Sequence, residues 1–304
     1  MLKKIKWVPT PKQAVWELVF AASIWGFGFI CTRVALEFAG PFWLNTIRFY
    51  LAFFFALPVI LFIPILRNHL NWNQFWLAAI PGFLLSGTLV FQTAGLYYTS
   101  VTKSAFITVL YIIFVPFLER FLLGTRIKKV HLIYVFFALL GTFLICNFRS
   151  NEWNRGDLLT LICALVATVQ IVLLEKISPK ITSAFVFNVF QTFWAGIIPF
   201  LLALIFESFP VLPLTPKIIL SILMLSFLST LLAFLIQVRT QKVLPSSTVS
   251  MLFILESPFA ALFAYLLLGE TLSPLQWLGA SLILTSALAS VGVWQWRRGV
   301  SFKY

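Results

Sequence analysis

The chain has 304 residues, of which 61% are hydrophobic, 17% aromatic and 10% charged, and its 22 Lys and Arg against 9 Asp and Glu give a formal charge of +13. A soluble domain carries roughly 25% charged and about 45–50% apolar residues, so this composition excludes a water-soluble fold and places the chain in a bilayer. The basic residues are scattered between long apolar runs, which reads as topology signals rather than a nucleic-acid surface.

A hydrocarbon core of about 30 Å takes roughly 20 apolar residues per helical crossing. Ten runs qualify: Ala14 to Leu36, Phe42 to Leu66, Phe75 to Tyr98, Ala105 to Leu123 and Val130 to Phe148, then Leu158 to Leu174, Ala184 to Phe206, Ile218 to Val238, Thr248 to Leu268 and Leu275 to Trp296. Their continuity favours helices over barrel strands, which alternate in segments of about 10 residues, and lipid admits only these two. The first run follows Lys3, Lys4, Lys6 and Lys12, as in a secretory leader. It continues past Trp25 and Phe29 without a small-residue cleavage site, so a retained helix is expected. Cys31, Cys146 and Cys163 all sit inside apolar runs, where no disulfide is expected.

With ten crossings and a cytoplasmic N-terminus, Lys103, Arg149, Arg155 and Lys217 fall in outer loops and Arg33 and Arg48 within helices. The other sixteen basic residues lie on the inner side. That positive-inside bias predicts a multi-pass protein with both termini in the cytoplasm.

Internal echoes suggest a duplication. Phe42-Trp43-Leu44-Asn45-Thr46-Ile47-Arg48 is answered 143 residues later by Phe185-Val186-Phe187-Asn188-Val189-Phe190-Gln191, each with Asn and a long polar side chain three apart. Pro58 is echoed by Pro199, Pro116-Phe117 by Pro258-Phe259, and Leu122-Leu123-Gly124 by Leu267-Leu268-Gly269. Five being odd, the second copy enters the membrane upside down. The expected fold is all-α and membrane-integral, with ten transmembrane helices in two inverted five-helix repeats, residues 1–148 and 156–296, and a site at the midplane between them. No connection is long enough for a separate soluble domain.

Charge inside a membrane is costly, which makes intramembrane ionisable groups functional candidates. Glu256 lies about nine residues into the ninth run, near the bilayer centre at ~1.5 Å per residue. It reads as a substrate-facing or proton-exchanging carboxyl, or as a tie to groups freed by Pro258. Arg48 sits nearer the outer side and reads either as a ligand-binding cation or as a snorkelling side chain. Arg33 and Glu37 are spaced as an i,i+4 pair at the end of the first helix. Asn45, Gln92, Gln170, Asn188, Gln191 and Gln237 lie in apolar runs and must point inward, some as helix ties and the rest as cavity lining. Trp25 and Phe29 share a face at i,i+4 and are candidate cavity walls, or packing and lipid-facing rings. The candidate substrate-binding set is therefore Trp25, Phe29, Asn45, Arg48, Gln170, Asn188, Gln191 and Glu256. Small residues such as Ala21, Ala22, Gly26 and Gly28 suit close helix packing, within one chain or in a homodimer.

Asp157 is the only aspartate, and it falls with His69 and His131 at membrane edges, which argues against a paired-carboxylate, zinc or serine enzyme. No catalytic residue, metal or cofactor is expected. Without a G-x-x-x-x-G-K-[ST] run, ATP is not the expected driver.

These residues resemble the drug/metabolite transporter superfamily, specifically ten-helix proteins built of two EamA-type repeats. The resemblance spans nearly the whole chain. It is carried by Trp25-Gly26-Phe27-Gly28-Phe29 followed by Arg33, by Pro41 with Arg48-Phe49, and by Gly95-Leu96-Tyr97-Tyr98-Thr99-Ser100. The most specific stretch is Glu256-Ser257-Pro258 through Leu268-Gly269-Glu270 to Gly279-Ala280. The first repeat departs from the pattern at Thr125, where many relatives carry Glu after Gly. The resemblance implies a carrier of the bacterial inner membrane, often an exporter of amino acids or related small metabolites. The expected mechanism is alternating access, one repeat rocking against the other around a cavity lined by helices 1, 2, 6, 7 and 9, with Glu256 a candidate for proton coupling. The alternative is a lipid scramblase or flippase, or a channel-like facilitator, which calls for a polar stripe open to lipid or a continuous pore.

Overall fold

A computed structural model describes residues 8–127, 129–146, 154–210, 215–268 and 273–297. Lys3, Lys4 and Lys6, Arg149, and Gly269 with Glu270 lie outside these residues. The chain forms α1 (Pro11–Ala35), α2 (Pro41–Phe62), α3 (Trp72–Tyr98), α4 in two pieces (α4a, Val101–Thr108; α4b, Tyr111–Leu123) and α5 (Lys129–Cys146). The second set is α6 (Arg155–Ile177), α7 (Ala184–Phe206), α8 (Pro216–Thr240), α9 in two pieces (α9a, Ser246–Phe253; α9b, Glu256–Leu268) and α10 (Pro274–Arg297). Eight of these spans are long and apolar enough to cross a membrane. Phe62, Phe121 and Ile205 point outward, more than two thirds exposed, as lipid-facing side chains do.

Local chemistry sets the helix ends. Thr10 and Gln13 form a reciprocal capping box on α1, and Asn154 and Asp157 do so on α6. Pro11, Pro41, Pro216 and Pro274 open their helices where the missing N–H costs nothing. Gly124, at φ 69°, closes α4 in the left-handed conformation. The start of α2 has no cap of its own. Glu207, just past α7, supplies one in trans, its two carboxylate oxygens accepting from the N–H groups of Phe42 (2.9 Å) and Trp43 (2.8 Å). A Cβ on Gly40 would collide with that carboxylate. Glu207→Ala is expected to cost about 0.5–2 kcal/mol, as loss of a cap does, and a thermal unfolding series in detergent with Glu207→Gln as reference checks it.

The helices pack in a pattern that survives exchange of the two sets. α3 lies on α6 as α8 lies on α1, α4 on α6 as α9 on α1, and α3 on α7 as α8 on α2; α2 with α7 and α5 with α10 pair counterpart to counterpart. Two side-chain ties repeat as well. Asn45 Nδ2 donates to Leu89 O (3.4 Å), and Asn188 Nδ2 donates to Leu231 O (3.0 Å). The compact units are therefore not the sequence repeats themselves. α1 belongs with α8 and α9, and α6 with α3 and α4, so each unit mixes the two copies.

Glycine contacts seal these units. A Cβ on Gly26 of α1 would lie 2.6 Å from Phe259 Cβ and 2.9 Å from Ala260 N and Glu256 O of α9b. In the other unit, a Cβ on Gly95 would lie 2.9 Å from Gly156 O, and one on Gly156 would lie 2.5 Å from Gly95 O. Lys103 Nζ and Asp157 Oδ2 pair at 2.5 Å between α4 and α6, and Thr99 Oγ1 donates to Asp157 Oδ1 (2.9 Å).

Two expected continuous spans are interrupted. α4 breaks at Val109 and Leu110, and α9 at Ile254 and Leu255, with bonds tightened to i→i−3 across each gap. Pro258 explains the second, because its ring collides with the carbonyl of Ile254. Nothing local explains the first. The Arg33–Glu37 pair does not form either: α1 ends at Ala35, and Arg33 Nη1 donates to Leu96 O (3.1 Å).

Candidate functional site

α8 carries the feature that shapes the centre of the molecule. Met224–Leu232 is wound as a π-helix, so the N–H of Ala233 reaches back to Leu228 O. Wide turns of this kind are rare and frequently found at functional sites. Here adjacent residues offer two hydroxyls to one partner: Arg48 Nε donates to Thr230 Oγ1 (2.9 Å) and Nη2 to Ser229 Oγ (3.0 Å). Neither bond uses Nη1. Arg48 is 3% exposed, so an outward, snorkelling placement does not occur.

Arg48 borders a cavity of about 70 Å³, space for a small solute or a few waters. Its walls are aromatic and aliphatic. Trp25 stacks at a tilt on Phe234 (5.1 Å between centroids) and edge-on against Phe253 (4.7 Å), and its Nε1 donates to Ser229 O (3.2 Å). Phe29, Leu85 and Leu225 complete that surface. Glu256, first residue of α9b, faces the same space beside Tyr111, first residue of α4b. Glu256 Oε1 and the Tyr111 hydroxyl are both buried without a bond that meets hydrogen-bond geometry.

Five of the eight expected residues line the cavity: Trp25, Phe29, Arg48, Gln170 and Glu256. Asn45, Asn188 and Gln191 do not, and α7 contributes no lining side chain. Asn45 and Asn188 turn their amides onto neighbouring backbones, the structural use open to any amide in an apolar helix. In their place come Gln92, Thr108 and Tyr111 from α3 and α4, and Ser229 and Gln237 from α8. Gln92 and Gln237 carried a sequence signal, as amides inside apolar runs; Tyr111 and Ser229 carried none.

Toward the face from which α1 starts, the cavity is floored by Gln237 Nε2 donating to Gln170 Oε1 (2.9 Å). Below it Gln241 Nε2 and Ser246 Oγ both donate to Ile171 O (2.7 and 3.2 Å). The N–H groups of Ser246 and Ser247 donate to Glu175 (2.6 Å) and Glu119 (2.8 Å). Lys242, in the loop beyond α8, donates to Ile181 O (2.6 Å), and burial pushes its ammonium below the usual lysine range. These bonds join α6 and α4 of one unit to α8 and α9 of the other on this side of the cavity.

Among the described residues no group of three or more His, Cys, Asp or Glu is placed to hold a metal. Arg48 and Glu256 do not form an ion pair there either. The cavity thus presents a guanidinium and a carboxyl that do not pair with one another, between apolar walls.

The sequence matches the EamA-like transporter family twice, over residues 13–147 and 154–292. The chain belongs to the EamA-like transporter family. It is accordingly a multi-pass membrane protein whose partners are the bilayer and a small-molecule substrate, and its family is one of transporters, not enzymes. The transporter is 30% identical over 273 residues to an uncharacterized transporter of Archaeoglobus fulgidus, covering 89% of this chain and 83% of that one. It is 26% identical over 299 residues to a protein of Escherichia coli named as a probable amino-acid metabolite efflux pump, covering 91% and 94%. A solved crystal structure, 19% identical, superposes with a TM-score of 0.74 over 95% of this chain and 99% of that one, which shows the shared fold.

Proposed function

We propose that this EamA transporter exports a small zwitterionic metabolite, amino-acid-like in its head group, across the bacterial inner membrane by alternating access, with both termini in the cytoplasm. The observation that carries the reading is one cavity holding Arg48 and Glu256 unpaired with each other. Arg48 offers Nη1 to a carboxylate, Glu256 faces the ammonium, and Trp25, Phe29 and Phe253 enclose a small apolar remainder. The efflux name of the Escherichia coli relative supports the substrate class and direction, and the basic bias of the inner loops supports the orientation. On this orientation the stitched face of the cavity is cytoplasmic. The bodies that rock are the α3-α4-α6 and α1-α8-α9 units, not one sequence repeat against the other. Glu256 exchanges a proton as the units rock, which couples export to the proton gradient. A scramblase needs polar groups open to lipid, whereas the polar groups here face one another across an interior space.

The test is uptake of a mixture of labelled amino acids by proteoliposomes at two pH values. Each charged contact to substrate is worth about 1.5–3 kcal/mol, so Arg48→Gln is expected to lower uptake roughly 10- to 100-fold. Glu256→Gln should remove the pH dependence. Unchanged uptake in Arg48→Gln would falsify the binding role, and a retained pH dependence in Glu256→Gln would end the coupling.

A further inference from the structure

Gln170 of α6 and Gln237 of α8 meet across the boundary between the two units, and both line the cavity. Two primary amides that meet can exchange two hydrogen bonds. This pair makes one: Gln237 Nε2 donates to Gln170 Oε1 (2.9 Å), and the return bond from Gln170 Nε2 does not form. Gln170 is 3% exposed, and its Nε2 has no hydrogen-bond partner in the protein. Turning the Gln170 amide over alone would set N–H against N–H and lose the bond that exists. The carbonyl next to it in sequence, Ile171 O, already accepts from Gln241 and Ser246. The other lining residues of α6, Ala167 and Ile171, have apolar side chains.

A buried donor left unmet is costly, and folded proteins rarely keep one without a use. Its place in the cavity points to the use. α2 and α6 start from the same face of the molecule, and Arg48 lies in the first half of α2 whereas Gln170 lies in the last third of α6. The amide is therefore deeper than the guanidinium, at the end of the cavity away from the carboxylate site. We propose that Gln170 is a specificity-determining residue: its Nε2 donates to an oxygen in the side chain of the substrate, so that amino acids whose side chains carry an acceptor are selected over those with a plain alkyl chain of the same shape. An alkyl chain in that place displaces water from the donor and returns no bond, which loses affinity. Trp25, Phe29 and Phe253 wall the stem of the side chain, and the amide reads what it carries. This rests on the reading in which Arg48 and Glu256 hold a zwitterionic head group.

O-methylserine and norvaline test this, because they share charge and shape and differ by one ether oxygen in place of a methylene. Proteoliposomes holding the full-length chain are given each probe, radiolabelled, at equal subsaturating concentration, and the rate into protein-free liposomes is subtracted. The parent should take up O-methylserine roughly five- to tenfold faster than norvaline, the worth of one neutral hydrogen bond. In Gln170→Met, and in Gln170→Leu as a second apolar replacement, the two rates should become about equal. A ratio read within one preparation does not depend on how much of the protein is folded, so it separates selection from loss of structure. Gln237→Met breaks the same tie between α6 and α8 but keeps the Gln170 donor, so it should keep most of the preference. Equal rates in the parent, a preference that survives in both Gln170 variants, or one lost only in Gln237→Met would each overturn the assignment and leave the zwitterion reading standing. If neither probe enters faster than without protein, the zwitterion reading fails and the assignment falls with it.

Discussion

Asp157→Ala is expected to lower the unfolding free energy by about 3–5 kcal/mol, the range seen when one member of a buried ion pair is removed. Asp157 is fully buried and accepts from Lys103 Nζ, Thr99 Oγ1 and the N–H of Asn154. The substitution takes the carboxylate away from Lys103, strands the Thr99 hydroxyl and dismantles the capping box of α6 at once. The effect falls toward the lower end, because the Lys103 side chain keeps 16% exposure. Thermal unfolding in detergent reads it. Part of the penalty is the lost attraction between Lys103 and Asp157, so Lys103→Met alone should also destabilise and the two losses should not add in the double variant; fully additive losses would show that the ion pair is not the source.

Gly26→Ala should damage the transporter at its centre. The added methyl would sit 2.6 Å from Phe259 Cβ and 2.9 Å from two backbone atoms of α9b. Backbone cannot swing aside as a flexible side chain can, so α1 and α9b must separate. Overpacking of this kind typically costs about 1–3 kcal/mol. The shift falls on Glu256 itself, whose carbonyl is one of the atoms struck, and on Trp25 next to it. Transport is expected to fall at least roughly tenfold, since misplacing a binding group by about 1 Å is that costly. The parent chain is the reference, since Gly28, the next glycine of α1, itself lines the cavity beside Ser229. Transport by Gly26→Ala equal to that of the parent would show that the α1–α9 contact does not set the position of Glu256.

Which polar residues belong to the cavity was only partly legible in advance. Arg48 and Glu256 stood out because an ionisable group within an apolar run has few places to go, and both line the cavity. Asn45, Gln170, Asn188 and Gln191 look alike in sequence, yet only Gln170 lines it. A soluble helix announces its inner face by an apolar stripe, but in a bilayer lipid and protein interior are equally apolar, so the stripe is missing. Tyr111 looked like one more aromatic. Its place beside Glu256 depends on a break in α4 that no local residue explains, and on α9 breaking at the equivalent point.

The apolar spans, the charge bias of the loops and the two-copy plan followed from the amino acids alone, because transfer of a segment into lipid depends on that segment's own composition. The grouping of α1 with α8 and α9, the pairing of Lys103 with Asp157 across 54 residues and the π-helical stretch that gives Arg48 two hydroxyls were decided only in the folded chain. Each depends on how backbones from distant parts of the sequence come together, as Gly26 does with α9b and Gly95 with Gly156, and no single segment's composition fixes that.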